Sequence, residues 1–538
     1  MVQLALVVLL RRSRVVRLLL PAALCLVAGA CIWVFHNVRV DTVGLNADSV
    51  AIQTPVKAHL RDGSTVLYRA GVLLAHDTLR GPGMRYALTL RDSTNVVLVP
   101  LDSIVAMESY RRGTDGAATA IVSTLATGVT FAAGVVVAFL ISCASANGIC
   151  SNCPTVYTDS AGSPALQAEG FSYTIGSASE IRDVDRLGIR PDGDGRIRLE
   201  VRNDALETEY INHLELLEVR HAADEMALPD PNGAALALRE LVPATTITDA
   251  AGRDLRLLLA LPDGAAFRTD AQTLAGVSSA DWEDAIYLAA PATAERDSVA
   301  LVFRLRNSLL ATLLYSDVLL GDRGARSLDW IGRDLDGGGA ALARWQKQRL
   351  GLRIAIWDGR YYHEIAHIRD SGPHAWNDVA VLIPVLQRDS IRVRLSFPAD
   401  NWRIDRVAFA MRARRPDVHV HAFSRLRDAG GHDDSSALAG IRLADRRYLR
   451  TSPGERFSVD VQVGAAGAEV ARTFLIGTQG YYEPWIGHDG LSTALDGGVP
   501  GSLDAALLKA LRKWGTVREA RERAFATHAA ALAEMRVQ

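Results

Sequence analysis

Cysteine is absent after residue 153: the five in this 538-residue chain are Cys25, Cys31, Cys143, Cys150 and Cys153. That absence excludes a disulfide-stapled scaffold for the C-terminal bulk. It leaves one Cys150-x-x-Cys153 pair, able to close a local bridge or bind metal but lacking the second pair of a zinc knuckle. An excess of one charge is also missing. Lys and Arg number 59 against 61 Asp and Glu, so the net charge of -2 gives no overall attraction to polyanions, and no nucleic-acid partner is expected. The chain contains no G-x-S-x-G, Walker loop or G-x-G-x-x-G, which removes the signals of elbow hydrolases, nucleotide hydrolases and dinucleotide enzymes. No solenoid-period repeat or low-complexity tract stands out. What the chain does have is hydrophobic residues, 49% of the total, enough to build several cored domains.

Two uncharged runs stand near the start. Behind Arg11, Arg12, Arg14 and Arg17 comes an 18-residue run, 18–35, and a basic flank before an apolar run reads as a signal anchor or export signal within residues 1–38. Ala28, Gly29 and Ala30 before Cys31 resemble a bacterial lipoprotein cleavage site, which would make Cys31 the lipidated residue. The second run, 117–144, has 28 uncharged residues rich in Gly, Ala, Ser and Thr. It is long enough for a transmembrane helix, and its small residues suit helix packing in a membrane. Loop charge places both Arg11–Arg17 and Arg111–Arg112 on the cytoplasmic side, which both segments cannot satisfy if both span. The expectation is a membrane partner and a place in the bacterial cell envelope, with the C-terminal bulk extracytoplasmic.

The fold class expected is mainly β. Residues 50–110 carry short β-rich runs separated by Asp62-Gly63, Gly81-Pro82-Gly83 and Asp92-Ser93, the pattern of a small N-terminal barrel or sheet. Residues 150–306 continue as a β-rich domain. There Asp192-Gly193-Asp194-Gly195 reads as a turn, since Arg196 stands where a calcium loop needs an oxygen ligand. In residues 297–307, Val299, Leu301, Phe303 and Leu305 alternate as one face of a strand. Helical spacing follows over 307–350, with Ser308 as N-cap. Residues 351–485 read as a β-sandwich, and 502–538 as a tail of two helices.

One catalytic word occurs: His363-Glu364-Ile365-Ala366-His367, the HExxH of zinc proteases. That chemistry needs a helix, which brings imidazoles four residues apart to one side with the Glu beside the metal-bound water. The surrounding sequence predicts a strand instead. Asp358-Gly359 is a hairpin signal, Tyr361, Tyr362, Ile365 and Ile368 favour β, and no helix N-cap precedes them. A third ligand is lacking as well, because Asp370 and Pro373 occupy the positions of Gly and His in the longer motif, and the next Glu is Glu455. In a plain strand His363 and His367 share a face, as do His419 and His421; such pairs are either weak metal ligands or solvated surface histidines.

Three stretches, Cys150–Ile175, Asn203–Val219 and Thr478–Trp485, are similar to an uncharacterised family of bacterial envelope proteins with a Ser-Cys-Pro-Thr-aromatic-Tyr signature. Here Asn152 replaces the Ser, and the signature positions are Cys153, Pro154, Thr155, Tyr157, Gly480, Tyr481 and Tyr482. That resemblance implies a membrane-attached β-rich protein and no particular activity. Residues 389–409 resemble strands of galactose-binding-like jelly rolls, which implies a binding module, with Trp357, Trp376 and Trp402 in its core or on a sugar platform. The function expected first is a non-catalytic structural or interaction module of the envelope, without cofactor. The alternatives are a glycan- or protein-binding module on the jelly-roll-like block, and a metal-dependent hydrolase using the His363 segment.

Overall fold

The computed structural model describes residues 36–42, 49–52, 56–60, 64–68, 70–75, 78–86, 93–114, 154–160, 163–203, 205, 207–292, 297–320, 338–445, 447–451, 455–464, 470–484 and 502–535. The apolar segments at 18–35 and 117–144, Cys31 and Cys153 lie outside them. Among the described residues no helix is long and apolar enough to cross a membrane. The fold is mainly β, with several antiparallel sheets.

Sheet I has eight strands between His36 and Thr114. Alternation buries Val56, Ala58, Leu60, Val66, Tyr68, Leu74 and Leu79 as its core. Gly81-Pro82-Gly83 lies inside the strand Thr78–Tyr86 and not at a turn between strands, and the register slips between Arg80 and Gly83. The physical reason is space: a Cβ on Gly83 would fall 2.7 Å from the Tyr68 ring, so the glycine permits close packing at a bulge.

The remaining strands form four five-stranded sheets. Sheet II comprises Ser163–Glu169, Thr155–Ser160, Arg196–Arg202, Arg456–Gln462 and Arg425–Arg427; sheet III comprises Ile181–Leu187, Ala471–Pro484, Glu207–His221, Asp417–His421 and Leu449–Thr451. They enclose one core, in which Val156, Leu199 and Val459 from sheet II meet Ile211, Leu214, Leu216 and Ile476 from sheet III. Sheet IV comprises Met226–Pro229, Ala235–Pro243, Trp402–Arg414, Ser298–Asn307 and Asn377–Pro384; sheet V comprises Thr246–Asp249, Glu283–Pro291, Ser390–Pro398, Leu352–Trp357 and Tyr362–Ile368. The alternating Val299, Leu301, Phe303 and Leu305 of sheet IV pack against Ile354, Ile356, Val393 and Leu395 of sheet V. The other face of sheet IV is lined by Ala300, Ala380, Ala408 and Ala410, whose small size leaves room for Leu228, Leu236 and Leu238.

Strand pairing does not follow chain order. Arg202 pairs with Arg456 and Arg220 with Asp417, so the sandwich of sheets II and III is made from the two ends of a segment that contains the whole of sheets IV and V. Sheet V itself draws strands from both the 150–306 and the 351–485 segments.

Helices cluster separately. Leu310–Leu313 continues as a π-helix, Leu314–Leu320, and Ser308 Oγ accepts the Leu310 N–H at 3.1 Å. Helix Gly338–Arg349 follows. The C-terminal tail is one 33-residue helix, Leu503–Met535, where the sequence pattern reads as two. Its Leu507, Ala510, Leu511 and Trp514 pack on Leu310, Leu314 and Tyr315, a continuous apolar stripe that Gly515 does not interrupt.

A polar junction joins the two sandwiches. Glu169, at the end of its strand, accepts the backbone N–H groups of His374 and Ala375, both at 2.6 Å. Gly372 has φ +86°, and a Cβ there would lie 2.8 Å from the Glu169 carboxylate, so the loop fits only as glycine.

Candidate functional site

The HEIAH segment lies in the strand Tyr362–Ile368 at the edge of sheet V. Asp358 Oδ1 accepts the N–H groups of Arg360 and Tyr361, each at 2.7 Å, and these bonds hold the Asp358 carboxyl down at about 2. The turn therefore sets up the hairpin, as its Asp-Gly sequence predicts.

The register then contains a break. Ile354 pairs with Ala366 but Ala355 pairs with Glu364, leaving Ile365 as the extra residue of a β-bulge. Ala366 and Ile368 face inward beside Ile354 and Leu352, whereas Tyr362, Glu364 and His367 align with outward-facing Trp357, Ala355 and Arg353. His363 aligns with inward-facing Ile356 at the rim, where its Nε2 lies 2.5 Å from Asp358 Oδ2. His363 and His367 therefore point to opposite sides, against the expectation that an unbroken strand would place them on one face. Burial, then the nearby positive charges of Lys347 and Arg369, hold the His367 pKa below its ordinary value.

His419 and His421 do share a face of the edge strand Asp417–His421. His421 Nε2 is committed to Glu218 Oε2 at 2.7 Å, and that buried carboxylate also pairs with Arg220 at 2.7 Å and Arg472 at 3.0 Å. Among the described residues no three His, Cys, Asp or Glu side chains converge as metal ligands.

The signature residues are built into packing. Pro154 accepts the Gly170 N–H at 2.9 Å, Thr155 Oγ1 donates to Arg202 O at 3.2 Å, and Arg202 covers the buried Tyr157 ring at 4.4 Å. A Cβ on Gly480 would meet Tyr210 O at 2.3 Å. Tyr481 stacks on Tyr210 with centroids 4.7 Å apart, and Tyr482 is fully buried beside Ile175. The two distant signature stretches thus meet, joined by Tyr482 N–H to Thr174 O and Gly176 N–H to Tyr482 O.

The tryptophans divide. Trp402 is in the core of sheets IV and V, and Trp376 lies under Arg306 and Arg304 at 4.6 and 5.7 Å. Trp357 faces outward on sheet V. Its ring is 5.1 Å from Tyr362, which is 6.2 Å from Tyr287, so three rings from three strands form one partly exposed patch. Ala355 and Ala289 keep the surface between them low. Arg394 lies over Tyr362 at 5.0 Å, with its Nε buried and without a hydrogen-bond partner. Arg392 is close enough for its charge to act on the Tyr362 hydroxyl. Gln387 Nε2 comes within 2.8 Å of a Cβ position on Gly359, so the turns carrying Arg360 and Arg388 meet at this end of the sheet. None of Arg360, Arg388, Arg392 and Arg394 has a carboxylate partner among the described residues. This outer face of sheet V is the candidate site.

Trp357 could be named from sequence, but Tyr287, Arg392 and Arg394 could not be grouped with it. Alternation in Ser390–Pro398 does place both arginines opposite Ile391, Val393 and Leu395. Which strands lie beside that one is decided by long-range pairing.

No family model and no curated protein matches the chain. Among solved structures it is similar to a GH31 alpha-xylosidase from Xanthomonas citri, at 9% identity and a TM-score of 0.15 over 81% of this chain and 38% of that one. The chain therefore spans well under two thirds of that enzyme. It is also similar to a chain of the lipid-containing bacteriophage PM2, at 9% identity and a TM-score of 0.11 over 83% and 98% of the two. Likenesses of this size carry no argument.

Proposed function

We propose that this protein is a non-catalytic, membrane-attached interaction module of the bacterial cell envelope, and that the outer face of sheet V is its binding face. The observation that carries the reading is the Trp357–Tyr362–Tyr287 patch ringed by arginines without carboxylate partners. Trp, Tyr and Arg are the residue types that concentrate binding energy when desolvated by a partner. The basic flank and uncharged run at 18–35 and the uncharged run at 117–144 support membrane attachment. The opposed directions of His363 and His367 weigh against a protease-type zinc cradle, which needs both imidazoles on one side.

The test is co-sedimentation of the full-length chain with detergent-washed bacterial envelope fragments. Trp357→Ala and Tyr362→Ala are expected to lower the bound fraction at least fivefold while leaving the thermal midpoint within a few degrees of the parent. Unchanged sedimentation of both variants would remove sheet V from the interaction.

A further inference from the structure

Resting on that reading, we infer that the occupant of the sheet V face is an acidic oligosaccharide, its sugar rings against Trp357, Tyr362 and Tyr287 and its carboxylates on Arg392 and Arg394. The charge of the face selects the class. Glu283 is held by Arg353 at 2.5 Å, and Asp358 spends its carboxylate on the Arg360 and Tyr361 N–H groups and on His363, so Glu364 and Asp389 oppose four arginines around the rings. A guanidinium presents a planar fork of donors that matches a carboxylate, and Arg394 is already oriented by the Tyr362 ring.

The shape of the face favours a sugar over a peptide. A peptide anchors by side chains in sockets or by adding a strand to a sheet edge. The face is instead a sheet surface with Ala289 and Ala355 between its rings and Ala285 and Ser396 beside them. The adjacent edge strand carries the Ile365 bulge, and a bulge blunts edge pairing. A sugar ring needs a flat apolar contact for its C–H face and donors or acceptors for its hydroxyls, and the rings and the outward-facing Arg392 and Arg394 supply both.

The experiment is calorimetric titration of the full-length chain at fixed ionic strength with three probes: hexagalacturonate, its fully methyl-esterified form, and polyglutamate of similar charge. The expected result is saturable binding of hexagalacturonate, weakened at least tenfold by esterification and by Arg392→Gln or Arg394→Gln, and lost in Trp357→Ala. Equal binding of the acid and the ester, still abolished by Trp357→Ala, would overturn the acidic class while leaving sheet V as the binding face. Tighter binding of polyglutamate, or of a single-stranded oligonucleotide run as a fourth probe, would overturn the sugar. Hexagalacturonate binding indifferent to Trp357→Ala and to both arginine variants would overturn this inference and the placement on sheet V together. If no probe binds while envelope co-sedimentation still depends on Trp357, the ligand inference alone fails.

Discussion

At the scale of single residues, the junction between the sandwiches contains carboxyls held where charge is costly. Asp370 accepts Asn307 Nδ2 at 2.9 Å and Asn401 Nδ2 at 3.1 Å, yet burial outweighs both bonds and pushes it up to about 6. Asp185 lines the same small cleft. Burial, followed by the charges of Asp183 and Glu169, raises it well above the carboxylate range, and its Oδ2 is without a partner. A carboxyl with a raised folded-state pKa gives stability that is fully present below the unfolded value, about 4, and lost as pH rises through the folded value. For Asp370 that window is about pH 4 to 6. Asp370→Asn, which keeps an oxygen for the two amides and cannot ionise, is expected to remove this part of the pH dependence. Thermal midpoints of the parent and variant measured at pH 4 and pH 7 check it: the variant should gain relative to the parent on going to pH 7, and a constant difference would be the contrary result.

At the scale of elements, one buried side chain fastens the C-terminal helix to sheet V and its loops. Asp400, at φ +62° and fully buried, accepts Trp514 Nε1 at 2.7 Å, Arg403 Nη1 at 2.8 Å, the Thr269 N–H at 3.0 Å and Arg518 Nη1 at 3.4 Å. Glu522 closes the set on Arg403 at 2.6 Å. Trp514, Arg518 and Glu522 are four residues apart, so one helical stripe reaches the site. Asp400→Ala takes one of two carboxylates from Arg403 and leaves the buried Trp514 Nε1 and the Thr269 N–H without their acceptor, and is expected to cost about 3–5 kcal/mol. Hydrogen exchange should show the amides of Leu503–Met535 opening first, ahead of those of sheet V; uniform acceleration would contradict a local role. The sequence makes the elements themselves legible. The alternation of Val299 to Leu305 and the extended backbone through Tyr362 are local, and local sterics decide them; the cap position falls at Leu309, one residue after Ser308, whose Oγ accepts the Leu310 N–H. The Asp192 turn is equally local: Asp192 Oδ1 accepts the N–H groups of Asp194 at 3.0 Å and Arg196 at 2.7 Å, spending the carboxylate on its own backbone. The Ile365 bulge is not legible, because it reflects a mismatch with Leu352–Trp357 that no single strand contains. The grouping of Tyr287 with Trp357 is hidden for the same reason.

At the scale of the whole molecule, the two sandwiches are nested: one begins and ends around the other. Arg220 and Asp417 are antiparallel neighbours, so the excursion between them leaves and returns at one point. Replacing residues 223–415 by an Asn-Gly turn, the sequence suited to a tight hairpin, is expected to leave sheets II and III folded, with a β-type circular dichroism spectrum and a cooperative melt. The midpoint should be lower than the parent's, because Val184, Leu217, Val219 and Leu475 lose the cover of Ala227 and Ala235. An unfolded product would mean that the inner sandwich is required as a template. The nesting also has a consequence for biosynthesis. The strand Arg196–Arg202 leaves the ribosome roughly 250 residues before Arg456–Gln462, its neighbour. At about 5–20 residues per second that is a delay of some 10–50 s. Throughout it, Ile197, Leu199 and Val201 have no finished sheet to enter, so the nascent chain must shelter an open β edge while the inner sandwich completes itself first.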